Sequence, residues 1–133
     1  MANENALRGL AHIGVETDNI EKSLDFYVNT LGFAFSSKTV LPNGVELAFV
    51  EAGSCVVEFV CRPGAKPAGD GVVSHFAIEV KNIDALVADL KTKGVVFDTD
   101  APNLMPDLCG GVKGIFFRGP SGEHLEFFEY LNR

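Results

Sequence analysis

Two stretches of this chain carry the same pattern. Ala11-His12-Ile13-Gly14-Val15-Glu16-Thr17-Asp18-Asn19-Ile20 returns as Ser74-His75-Phe76-Ala77-Ile78-Glu79-Val80-Lys81-Asn82-Ile83. In each, a Glu follows the His by four residues and Asn-Ile follows it by seven and eight; the offset is 75 − 12 = 63. A second pair matches further on: Val57-Glu58-Phe59 and Leu125-Glu126-Phe127, offset 126 − 58 = 68, each with a Phe nine residues before the Glu (Phe49 and Phe117). The period is too long for a solenoid, so the pattern predicts one supersecondary module duplicated within the chain.

Local periodicity gives the content of the module. Gly9 to Thr17 alternates Leu10, His12, Gly14 and Glu16 against Ala11, Ile13 and Val15. That is a strand, with His12 turned away from the aliphatic face. Asp18 or Asn19 then caps a helix whose apolar stripe is Ile20, Leu24, Tyr27, Val28 and Leu31, and Gly32 ends it. Phe33 to Leu41, Val45 to Glu51 and Ser54 to Cys61 read as strands joined by the turns Pro42-Asn43-Gly44 and Ala52-Gly53. The second copy repeats the order: strand Val72 to Val80, helix Asn82 to Lys93, and strand Val95 to Thr99. A longer loop follows over Asp100 to Gly111, then strands Val112 to Arg118 and Glu123 to Leu131. The expected organisation is one domain over 1–133, made of a βαβββ module at 8–62, a Gly- and Pro-rich linker at 63–71 and a second βαβββ module at 72–131. Residues 1–7 read as a frayed leader.

Composition narrows the partners. A formal charge of −7 with no cluster of Lys or Arg argues against nucleic acid and against an anionic membrane. No apolar run approaches the length of a membrane span, and the N-terminal stretch lacks the apolar core of a secretory leader. Three cysteines, Cys55, Cys61 and Cys109, form no Cys-x-x-Cys pair and leave one over after any pairing, which fits a reducing compartment. The expectation is a cytoplasmic protein.

Two of only three histidines fall at matching repeat positions, and each copy also places a Glu inside an apolar strand. Glu58 sits in Cys55-Val56-Val57-Glu58-Phe59-Val60, where a carboxylate is costly without a cation or strong hydrogen bonds. A single strand histidine is ordinarily structural; two in register, each with its Glu, predict a metal site on a pseudo-twofold axis. The ligand set is His12, Glu58, His75 and Glu126. Two imidazoles and two carboxylates suit Ni²⁺, Co²⁺, Zn²⁺, Mn²⁺ or Fe²⁺ and leave open positions, unlike a closed thiolate zinc site. Glu16 and Glu79 share the strand faces of the two histidines and line the rim of such a cleft or stay solvated. His124 supports Glu126 or simply follows a turn, and the loop 100–111, with Leu104, Met105 and Leu108, is a lid or a connection.

The chain resembles the vicinal oxygen chelate superfamily: glyoxalase I, methylmalonyl-CoA epimerase, fosfomycin-resistance transferases, extradiol dioxygenases and bleomycin-binding proteins. The resemblance rests on His12-Ile13-Gly14-Val15, on Leu24-Asp25-Phe26-Tyr27-x3-Leu31-Gly32-Phe33, on Ser74-His75-Phe76-Ala77 and on Gly119-Pro120-Ser121-Gly122-x3-Glu126. In the last, Gly119 stands where the family usually has Asp. The resemblance implies an α+β fold in which two βαβββ modules form a curved mixed β-sheet cup with helices outside, and a homodimer. Dioxygenase and fosfomycin branches look like three-ligand sites and bleomycin-binding members generally lack the metal set, whereas His-Glu-His-Glu looks most like bacterial glyoxalase I. That implies a lyase or isomerase of lactoylglutathione lyase type, with Ni²⁺ or Co²⁺ favoured over Zn²⁺ and Mn²⁺. Its substrate would be a small-molecule thiol adduct of a 2-oxoaldehyde such as methylglyoxal, with Glu126, assisted by Glu58, as the catalytic base. The alternatives are an epimerase acting on an acyl thioester, with Lys66, Lys113 or Arg118 available for phosphates, and a metal-containing binding protein without turnover. Glu16 stands where glutathione-using glyoxalases carry an Arg, and Arg62 where they carry an Asn, so the resemblance leaves the thiol open.

Overall fold

The computed structural model describes residues 6, 9–66, 69–71 and 73–133. Nearly all of the expected leader, and position 72 where the second module is expected to open, lie outside the described residues. Two βαβββ modules form, each with its own four-stranded mixed sheet. The first contains β1 (Ile13–Glu16), helix α1 (Ile20–Leu24), which continues as a π-helical segment (Asp25–Leu31), β2 (Ala34–Val40), β3 (Glu46–Ala52) and β4 (Cys55–Cys61). The second contains β5 (Phe76–Glu79), α2 (Ile83–Thr92), β6 (Asn103–Met105), β7 (Val112–Arg118) and β8 (His124–Tyr130). Strand orders are β1-β4-β3-β2 and β5-β8-β7-β6, so the first strand of each module lies parallel to its last and the rest are antiparallel.

Asn19 caps α1, its Oδ1 accepting from Lys22 N at 3.0 Å, and Gly32 ends the helical segment in the left-handed region at φ 95°. The β2–β3 turn closes as the Pro-Asn-Gly triplet requires: Gly44 N donates to Leu41 O and Val45 N to Asn43 Oδ1. β2 is exposed along its whole length as an edge strand, interrupted by a register shift at Phe35/Ser37 and carrying Lys38, features that discourage further pairing.

The expected strand over Val95 to Thr99 does not form. Only Phe97 bridges to Phe117, and Asp98 N donates to Phe116 O; the chain then leaves the sheet and returns as β6, inside the region expected to be loop. The outer edge of β7 is thus shared by two short segments. Phe97 is held at its place by rings, its centroid 5.4 Å from Phe117 and 6.3 Å from Phe127, while Val96 stays exposed.

One apolar core spans both modules. Val15, Tyr27, Val57 and Phe59 from the first meet Ile78, Leu90, Ile115, Phe117 and Phe127 from the second. Strand alternation puts the strand residues among these on one face of each sheet, with Tyr27 and Leu90 contributed by the helical segments, and leaves His12, Glu16, Glu58, His124 and Glu126 on the other. Buried hydroxyls cross the junction: Ser121 Oγ donates to Thr17 Oγ1 at 2.7 Å, and Thr17 Oγ1 lies 2.9 Å from Ser23 Oγ.

Candidate metal centre

Each module assembles one His–Glu pair by the same device. Parallel pairing sets Gly14 beside Glu58 and Ala77 beside Glu126, and each histidine stands two residues earlier, just before its strand begins. His12 Nε2 lies 3.4 Å from Glu58 Oε1, and His75 Nε2 lies 3.4 Å from Glu126 Oε1. Each ring also rests on the edge of an aromatic from the third strand of its sheet, His12 on Phe49 at 5.8 Å and His75 on Phe116 at 5.0 Å. The repeat therefore equates Phe49 with Phe116, directly opposite Glu58 and Glu126, and not with Phe117, which faces the core. Counting nine residues back misleads because the β7–β8 hairpin holds one more residue between its paired Phe and Glu than the β3–β4 hairpin does.

The pairs are not equal. Side-chain exposure is 42% for His12 and 19% for Glu58, against 34% for His75 and 9% for Glu126. Burial raises the Glu126 carboxyl above its ordinary range, against the opposing pull of His75. Ser74 Oγ lies 2.7 Å from His75 Nδ1. With Nε2 kept free as a metal donor, Nδ1–H donates to Ser74, which fixes the ring's orientation; the first module has Ala11 at the matching position. On β7, an added Cβ at Gly114 would lie 2.7 Å from Glu126 Oε2 and 3.4 Å from Met105 Cε. Sequence reasoning assigned no role to Ser74, Gly114, Phe49 or Phe116. The one available signal was a glycine inside an otherwise β-forming strand.

The four sequence-derived ligands come together only two by two. Among the described residues, no group of three or more His, Cys, Asp or Glu side chains is close enough to hold one ion. What the chain offers is two candidate half-sites, each with an imidazole nitrogen and a carboxylate oxygen 3.4 Å apart. That donor set fits a borderline divalent ion when two halves meet.

A cavity of about 210 Å³ opens between the modules beside the second half-site, lined among others by Glu16, Ser74, His75, Glu123 and His124. His124 shares the face of Glu126; its Nε2 lies 3.2 Å from Asp98 Oδ2, and its ring is 6.2 Å from that of His75. Glu16 and Glu79 are each matched by a guanidinium: Arg62 Nε lies 3.5 Å from Glu16, and Arg133 Nη1 lies 3.4 Å from Glu79 while stacking 3.8 Å over Tyr130. Glu123 folds back into the space over Gly119, where a Cβ would collide with its carboxyl group, and accepts from Tyr27 Oη and Ser121 N. Of the cations considered for phosphate, Lys113 is bound to Asp84 and Arg118 to Asp70, both at 2.6 Å.

Residues 9–127 match the Glyoxalase/Bleomycin resistance protein/Dioxygenase superfamily, and the chain belongs to it. It is 31% identical over 122 residues to the mitochondrial methylmalonyl-CoA epimerase of Bos taurus, covering 77% of this chain and 70% of that one. Among solved structures it resembles the trypanothione-dependent glyoxalase I of Leishmania major, at TM-score 0.75 and 25% identity over 92% of this chain and 87% of that one. The fold is also that of the fosfomycin resistance protein FosX from Listeria monocytogenes, a Mn(II) complex, at TM-score 0.71 and 13% identity over 95% of each chain. The superfamily thus includes enzymes acting on small molecules, and a protein of this fold, FosX, that binds a divalent metal.

Proposed function

We propose that this chain is a metal-dependent enzyme of lactoylglutathione lyase type, converting the hemithioacetal of a 2-oxoaldehyde and a thiol into a 2-hydroxyacyl thioester. The observation that carries the reading is Glu126: a buried carboxylate with raised proton affinity, set against an imidazole whose other nitrogen is already engaged. Glu126 takes the proton from the carbon bearing sulfur and hydroxyl and returns it to the neighbouring carbon, which was the carbonyl carbon. Glu58 assists by passing the hydroxyl proton between the two oxygens. A divalent ion held by His12, Glu58, His75 and Glu126, with Ni²⁺ or Co²⁺ favoured, would supply Lewis-acid neutralisation of the charge that appears when the carbon-bound proton leaves. We assign the complete site to two copies of the chain, the first half-site of one facing the second half-site of the other in a homodimer. Its three cysteines are unbridged, and we assign it to the cytoplasm.

Glu16 does not disqualify a thiol bearing a carboxylate, because Arg62 stands beside it and offsets its charge. A second reading, epimerisation of an acyl-CoA by the same proton abstraction, is favoured by the bovine epimerase relative. The engagement of Lys113 and Arg118 by carboxylates weighs against it. Chelator-stripped protein reloaded with Ni²⁺ is expected to isomerise the hemithioacetal of methylglyoxal and glutathione. Solvent deuterium entering methylmalonyl-CoA with no isomerase activity would move the assignment to the second reading. Neither activity in a fully nickel-loaded protein would reject both.

A further inference from the structure

We propose that Gly114 is a positioning residue: its missing side chain leaves the seat that the Glu126 carboxylate occupies, a seat that Glu58 lacks. The inference rests on the metal reading above and adds a difference in how its two carboxylates are seated. Gly114 and Phe128 face each other across β7 and β8, two positions beyond the Phe116–Glu126 pair. The Glu126 side chain leans along the sheet into that place, so that a Cβ on residue 114 would stand 2.7 Å from Oε2. Real Cβ–oxygen contacts are not that short, so any side chain there displaces either the carboxylate or the strand. Met105 from β6 also borders this place, its Cε 3.4 Å from the same point.

The first module lacks this seat. By strand pairing the counterpart of Gly114 is Leu47, opposite Val60, since Phe49 faces Glu58 as Phe116 faces Glu126. A leucine occupies the space that a glycine leaves free in the second module, and Glu58 is correspondingly about twice as exposed as Glu126. Two carboxylates alike in sequence are therefore held differently: Glu126 is buried with its Oε2 over the glycine, and Glu58 is more exposed beside a leucine position.

The test is a double-mutant cycle of Gly114→Ala and Glu126→Asp, read in two ways. In metal-free protein, thermal stability reports the seat itself. Shortening the acidic side chain by one methylene withdraws the carboxylate from the methyl group introduced by Gly114→Ala. The two changes should therefore be non-additive, with Glu126→Asp better tolerated in the Gly114→Ala background than in wild type. In Co²⁺-loaded protein, the visible absorption bands and the Co²⁺ affinity report the ligand. Gly114→Ala should weaken binding roughly tenfold or more and change the bands, and Leu47→Ala should leave both near wild type. Should Gly114→Ala prove too unstable to load, the Gly114→Ala/Glu126→Asp protein is measured against Glu126→Asp alone and should bind Co²⁺ no worse. Additive stabilities, or a Gly114→Ala protein with wild-type bands and affinity, would overturn the inference while leaving the metal reading intact. A wild-type protein that binds no Co²⁺ would remove the metal reading itself, whatever the stability cycle shows, and the positioning role with it.

Discussion

At the scale of single residues, the proposed reaction and the proposed metal binding separate at Glu126. Glu126→Gln keeps an oxygen donor beside His75 but cannot accept the proton, so turnover is expected to fall on the order of 10²- to 10⁴-fold with metal content largely retained. Steady-state rates and metal analysis of one sample check both. Ser74 acts through His75: with its Oγ 2.7 Å from Nδ1, Ser74→Ala is expected to lower metal affinity about 10–100-fold, measured by competition with a chelating dye, while thermal stability changes little. The two His–Glu pairs were legible in the sequence because they occur twice in register. Gly114 and Phe116 were not, because each acts through space on a residue chosen by strand register rather than by spacing along the chain; Ser74 adjoins His75 in the chain, and only the ring's orientation brings the two into hydrogen-bond distance.

At the scale of elements, the β7–β8 hairpin holds one more residue between its paired Phe and Glu than its counterpart does. Glu123 fills the room left by Gly119 and ties the turn of this hairpin to Tyr27 on the π-helical segment of the other module. Burial holds the Glu123 carboxyl above its ordinary range, even though its hydrogen bonds favour the ionised form. Below the unfolded-state pKa both states carry the proton and no stability is at stake. As pH rises through the higher folded-state value the native chain must bury a charge, so stability is lost. The urea midpoint of Glu123→Gln is therefore expected to vary less with pH than that of wild type, from about pH 4 upward. On the opposite face of β7, Phe117 is fully buried among Phe26, Phe97 and Phe127. Phe117→Ala should cost about 3–5 kcal/mol in chemical denaturation. Helices and central strands were legible from their periodicity; the exchange of the 95–99 strand for β6 was not, because it depends on which segment reaches the free edge of β7.

At the scale of the whole molecule, two half-sites in one chain make a sharp statement about assembly. If a complete site takes one half from each chain, His12→Ala and His75→Ala homodimers are both inactive. A mixed dimer, however, contains one site built wholly from intact halves. Unfolding and refolding the two variants together is then expected to restore activity, up to roughly a quarter of wild type for random pairing. No recovery, with mixed dimers demonstrated by mass spectrometry, would place each site within a chain.

The sequence by itself determined the duplicated βαβββ plan and the four candidate donors, since these rest on periodicity and repetition that a linear chain displays directly. Tertiary structure alone decided that the donors meet two by two, that Phe49 answers to Phe116, and that Glu126 has a seat where Glu58 has none. The physical reason is common to all three. Sheet pairing brings together residues far apart in the chain, and one extra residue in a hairpin, or a glycine in place of a leucine, changes which atoms touch without disturbing the pattern that produces the strands.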